Sequence, residues 1–282
     1  MGRVRRVFHL FPSLTSTAHR FLGAQVLEVL VRDLWPHFPF SPKSWPFFYG
    51  WFIVAAATVG IIASIPGQTM GVGVFTDYLM EAMGLTRTQL STAYMLGTIT
   101  SSLLLPFAGK LLDRIGARAM VVFSTVGLGI SLVVLSQADR LPALLGISFF
   151  GMMMGISFIA FLLIRFFGQG CLTMVSRVVI GKWFDHRRGL ASAISGVFVA
   201  VGFSVSPLVL NELVDQLGWR AACLLLGAVV GLGMTLFGWM FYRDNPEECG
   251  LEMDGPHSEE WRAKMAEKVP ETRKEFTRLE AI

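Results

Sequence analysis

The chain is short of charge. Only 16% of its 282 residues are Asp, Glu, Lys or Arg, against roughly 25% in soluble domains. A water-soluble fold of this length needs a charged surface, so the deficit excludes an ordinary globule and points to lipid as the outer solvent. Cysteine is scarce too. Cys171, Cys223 and Cys249 are widely separated, show no metal or redox spacing, and read as structural. Acidic residues are missing from every long apolar run, and all five histidines (His9, His19, His37, His186, His257) lie outside those runs. Intramembrane proteolysis needs a Ser–His pair or paired aspartates within the spans. That enzyme class is therefore not expected, although Ser195-Gly196 is present. No phosphate-binding loop pattern occurs, and no cofactor or metal site is expected.

What is abundant fits a bilayer. Hydrophobic residues make up 53% of the chain, with 23 Phe, 14 Met and 29 Gly, and the mean hydropathy is +0.58. Small residues let membrane helices approach closely. The net charge is +4. The basic residues sit in short segments between apolar runs, which is a pattern of membrane topology rather than of nucleic-acid binding.

A spanning helix needs about 20 apolar residues. Uncharged runs cover 44–76, broken at Pro66-Gly67, then 88–109, 119–138, 189–211 and 221–242. Residues 141–176 carry a single charge, Arg165, over a length too great for one span and short for two. Charge bias decides the count. Lys110, Arg114 and Arg118 follow the second run, Arg177, Lys182, Arg187 and Arg188 precede the fifth, and Arg243 follows the last. If these basic loops share the cytoplasmic side, only one span fits in 153–177, with 139–152 interfacial or helix-extending. The expectation is an all-α polytopic membrane protein of six transmembrane helices with both termini cytoplasmic. Residues 1–45 form a basic N-terminal segment with a short amphipathic helix at 21–35. Residues 46–243 form the membrane domain, and 244–282 form a polar cytoplasmic linker with one short helix.

The loop after the second run reads Gly109-Lys-Leu-Leu-Asp113-Arg114-Ile-Gly116-Ala-Arg118. Gly109 permits close helix approach and Gly116 a tight turn. Asp113, an acid in a basic loop, is expected to pair with a cation or to cap a helix N-terminus. This pattern resembles the hallmark loop of the major facilitator superfamily, in the same inter-helix position. Further stretches are similar to the monocarboxylate and oxalate/formate branch: Trp183-Phe184-Asp-His-Arg187-Arg188-Gly189-Leu-Ala191, Gly218-Trp219-Arg220, the segment from Asn245 to Gly255, and Phe276 to Ile282 before a seventh helix. The resemblance covers residues 48–282 and implies the N-terminal six-helix half of a secondary transporter in a plasma or inner membrane. It implies a small carboxylate or other organic anion as substrate, coupled to a proton or an anion. It also implies that the loop glycine and aspartate work against a second transporter half, which is either a separate half or a second copy of this chain. The alternative is a non-transporting membrane scaffold or regulator, or an inactive truncated protein.

Arg165, in Arg165-Phe-Phe-Gly168-Gln169-Gly170, is similar to the arginine–glycine motif of helix four in this superfamily, which implies a role in substrate or proton coupling. A charge at bilayer depth costs about 2.5–3.5 kcal/mol on insertion scales and is tolerated when it faces a cavity or a partner. Gln169, four residues on, is expected on the same helix face. Gln68 and Thr69 after the Pro66-Gly67 break, and Tyr94 in the second run, are further cavity candidates, with helix packing as the plainer role for these three.

Overall fold

The structure is a computed structural model, and it describes residues 38–140 and 150–255. Every regular element among the described residues is helical. Helix α1 (Tyr49–Ala63) leads through a 3₁₀ turn (Ile65–Gly67) into α2 (Thr69–Met83). Helix α3 (Arg87–Ser136) follows, then α4 (Phe150–Ile164), a π-helical segment (Arg165–Leu172) and α5 (Thr173–Trp183). Helix α6 (Arg188–Leu217) is continuous. Helix α7 (Trp219–Ala228), a second π segment (Val229–Met234) and α8 (Thr235–Phe241) complete the bundle.

These elements make six crossings. At 1.5 Å per residue the 50 residues of α3 would reach about 75 Å, far beyond a hydrocarbon core of ~30 Å. Gly116 divides it: with φ 80° and ψ 168° it takes a conformation that side-chain-bearing residues avoid, and spans two (87–115) and three (117–136) meet there. Pro66 interrupts span one, which runs to Met83 rather than ending near residue 76, so Asp77 and Glu81 fall in its last turns. Spans four, five and six are each long and apolar enough to cross a membrane. The stretch 141–149, expected to be interfacial, lies outside the described residues, as do the helix expected at 21–35 and residues 256–282.

Burial follows membrane rules. The core is apolar, with Tyr49, Phe75, Phe161 and Trp183 fully enclosed, while Leu103, Leu208 and Leu232 are 68–74% exposed on the outer faces. Spans meet most closely at two glycine crossings. A β-carbon on Gly67 would sit 2.8 Å from the Gly168 Cα, and one on Gly129 would sit 2.7 Å from the Gly231 Cα. Gly168 and Gly231 each lie within a π segment, so both irregular turns face a partner with no side chain to displace. Hydroxyls tie the helices together: Thr58 donates to Ser195 (2.8 Å), and Thr125 lies 2.7 Å from Thr235.

Candidate functional site

Arg165 opens the π segment of span four, and its side chain turns onto the break in span one. It is 6% exposed. Its Nη1 donates to the Gly67 carbonyl (3.2 Å) and to Thr69 Oγ1 (3.4 Å). The guanidinium lies 5.3 Å from the Tyr94 ring centroid, a cation–π distance. Tyr94 in turn places its hydroxyl 3.0 Å from Thr69 Oγ1 and meets the Phe161 ring edge-on at 5.4 Å. A cavity of about 120 Å³ adjoins the cluster, with Thr69, Ser91, Tyr94 and Phe161 in its wall.

The break creates this site. Pro66 has no N–H to continue α1, so the chain makes one tight turn and restarts at Thr69, which leaves the Gly67 carbonyl free to accept from outside its own helix. The buried charge is only partly compensated. No carboxylate lies within ion-pair distance of Arg165 among the described residues, whose ion pairs are Arg87–Asp77 and Arg220–Asp139. All its hydrogen bonds leave from Nη1, so Nε and Nη2 make none among the described residues. Thr98, one turn along span two from Tyr94, buries a hydroxyl oxygen with no partner among the described residues. A buried guanidinium with open donors favours an anion that completes its hydrogen bonds.

Of the residues expected near it, Tyr94 joins Arg165 directly. Gln68 does not. It is buried and donates to Ser64 Oγ (2.9 Å) and Thr173 Oγ1 (3.2 Å), pinning span one to α5. Gln169 is exposed while Arg165 is buried, so the pair does not share one environment: the Arg165 side chain turns onto the span-one break and the Gln169 side chain does not. Thr69, considered mainly for packing, proves to be the hydroxyl that links guanidinium and phenol.

The basic face holds the loop residues. Asp113 and Arg114 are exposed and form no ion pair among the described residues, and the position of a β-carbon on Gly109 is open. The expected cap role of Asp113 falls instead to Asp244, just past span six. Its carboxylate packs on Gly116, where a β-carbon would come within 2.6 Å, and accepts the Arg118 N–H at 3.1 Å. The turn at Gly116 points the first amides of span three toward that carboxylate, whereas Asp113 lies back on span two. Burial pushes the Asp244 carboxyl above its ordinary range, and the Arg118 and Ala117 amides oppose that rise.

Arg118 is 1% exposed and donates from Nε to the Trp239 carbonyl (2.6 Å) and from Nη2 to that of Phe38 (2.7 Å). Arg243, equally buried, donates to the carbonyls of Met240, Tyr242, Phe38 and Phe40 at 2.8–3.3 Å. Asp254 accepts the amides of Asp185, His186 and Arg187 at 2.8–3.1 Å, at the start of span five. Residues 244–255 are thus docked on the bundle, not free linker. Arg187 and Arg188 keep exposed side chains, and Arg188 joins Arg177, Ser192 and Ser195 around a cavity of about 180 Å³. Spacing within the chain could not reveal Asp244 and Asp254, because both act on loops about 70 to 130 residues earlier.

Among curated proteins, a probable sulfoacetate transporter, SauU, of Cupriavidus necator is 26% identical over 186 residues, 64% of this chain and 38% of its own length. Human monocarboxylate transporter 6 is 25% identical over 64% of the chain and 33% of its own length. A probable L-galactonate transporter of Escherichia coli is 26% identical over 59% and 34% respectively. The chain therefore spans about a third of the length of these relatives. No solved structure matches it. The family model described as Major Facilitator Superfamily matches residues 56–263. With its helical bundle, its loop between spans two and three and its transporter relatives, this multi-pass chain belongs to the Major Facilitator Superfamily, in the monocarboxylate-transporter-like branch.

Proposed function

We propose that this chain is one six-span half of a secondary carrier for small organic anions, and that Arg165 contacts the anion. The observation that carries this is the buried guanidinium at a broken helix, with donors left open and no carboxylate beside it among the described residues. Broken helices expose backbone groups at midplane transport sites, and a fixed fork of N–H donors suits a carboxylate or sulfonate. Relatives are named for the transport of sulfoacetate, monocarboxylates and L-galactonate, all organic acids. Positive residues favour the cytosol, so the basic face with residues 110–118 and 177–188 is cytoplasmic in a plasma or inner membrane, and both ends of the bundle emerge there. The exposed Asp113 and Arg114, and Gly109 with open space at its β-carbon position, then await a second six-span half, either another chain or another copy.

Uptake of labelled small carboxylates and sulfonates into proteoliposomes tests this, with the chain alone and with a supplied second half. Anion uptake that requires the second half and disappears in Arg165→Gln is the expected result. Uptake unchanged in Arg165→Gln would remove the arginine from the site, and no uptake from either preparation would favour a scaffold.

A further inference from the structure

Two arginines away from Arg165 converge on one cavity. Arg188 opens span five, and Ser192 and Ser195 follow it at the spacing that sets side chains on one helix face. Arg177 faces them from α5, and these four residues help to wall the cavity of about 180 Å³ at the basic end of the bundle. Gly181, one turn beyond Arg177, makes room for this approach. A β-carbon there would lie 3.0–3.2 Å from the Nη2, Cζ and Nε atoms of Arg188, so the Arg188 fork rests where a side chain would otherwise stand. The loop that delivers Arg188 is fixed as well, because Asp254 accepts the amides of Asp185, His186 and Arg187. Ser195 is buried and tied to Thr58 at 2.8 Å, which joins this wall to span one.

Neither guanidinium makes an ion pair or a hydrogen bond among the described residues, and the Ser192 hydroxyl makes no hydrogen bond there either. Two like charges that share a cavity without a carboxylate repel each other. An oxyanion removes that repulsion and accepts the paired N–H donors of both forks. A cavity admits a water molecule at ~10–15 Å³, so this one has room for a sulfate, a phosphate or a small carboxylate with part of its hydration. Arg177, Arg188 and Ser192 are exposed, so an ion reaches them from water. We propose that these three side chains form an oxyanion site, separate from Arg165, for a carboxylate, sulfonate or phosphate group. The cavity is walled by spans one, four and five of this chain, so the site is complete without a second half. Its occupancy does not depend on what Arg165 binds. A free anion and the headgroup of an acidic phospholipid offer the same chemistry.

The test uses the full chain carrying Arg165→Gln, so that nothing held at Arg165 contributes, in scaffolded discs of phosphatidylcholine. Radiolabelled inorganic sulfate is titrated by equilibrium dialysis. The expected result is saturable binding, weakened roughly tenfold by Arg177→Gln and by Arg188→Gln. Arg187→Gln should leave it intact, because that exposed neighbour is not in the cavity wall. Gly181→Leu keeps both charges but displaces the Arg188 fork, and should weaken binding as Arg188→Gln does. Thermal midpoints of all four variants report whether the bundle is intact. Discs that also contain phosphatidylglycerol separate the two sources: competition with sulfate assigns the site to a lipid headgroup, and indifference assigns it to a free anion. Absence of saturable binding, or equal weakening by Arg187→Gln, would overturn the proposal. So would loss of sulfate as the chain dimerises, which would give the two arginines to a contact between copies.

Discussion

Three arginines are buried among the described residues, and they are buried differently. Arg118 and Arg243, at the basic end, donate into ring upon ring of backbone carbonyls and sit over Trp239 and Phe40. Arg165, deep in span four, uses one nitrogen and leaves the others open among the described residues. Asp244 lies beside the first pair, and no carboxylate accompanies Arg165 among the described residues. A buried charge whose hydrogen bonds are complete locks a structure, while one left incomplete costs stability and offers a site. Under the proposed function, the contrast separates a scaffold role from a binding role within one residue type.

Substitution should break the comparison in opposite directions. Arg243→Gln removes the donor to the Phe40 carbonyl and leaves that of Phe38 with Arg118 alone, and is expected to cost about 1–3 kcal/mol, read as a lower thermal midpoint in detergent. Arg165→Gln removes an incompletely matched charge, so the midpoint should hold or rise while anion uptake falls by roughly tenfold or more, the equivalent of ~1.4 kcal/mol in binding. Reversal of those two phenotypes would undo the distinction.

Asp254→Ala deletes the acceptor of three amides at the start of span five. The expected cost is about 1–2 kcal/mol, as for a lost helix cap, with Asp254→Asn milder. A smaller effect sharpens the Arg165 side. Tyr94→Phe keeps the ring under the guanidinium but removes the hydroxyl that meets Thr69. Affinity should fall only a few-fold, about 0.5–1.5 kcal/mol, and Tyr94→Leu should fall further. Equal effects would remove the ring from the account.

The weakest effects are pH slopes. Asp244 is raised above its unfolded value, so the native state holds its proton more tightly. Stability therefore falls as pH rises from the unfolded pKa through the raised native one. Asp139, at the opposite end, is lowered by its hydrogen bond to Arg220, and its contribution is present above the unfolded pKa and lost as pH falls through the native one. Melting curves of Asp244→Asn and Asp139→Asn across acid pH should differ from the parent with opposite signs.

The sequence alone determined the six crossings, the turn at Gly116, the basic loops and the lone charge at Arg165, since each is written in a continuous stretch of hydropathy, charge or backbone freedom. Tertiary structure alone decided what those residues touch. Gln169 shares a spacing with Arg165 but not its cover, Gln68 ties helices together instead of facing a cavity, and the tail after span six clasps two loops that precede it by about 70 to 130 residues. Periodicity fixes which way a side chain leaves its own helix. It carries no information about which other helix, bent at its own proline or π turn, will be waiting there.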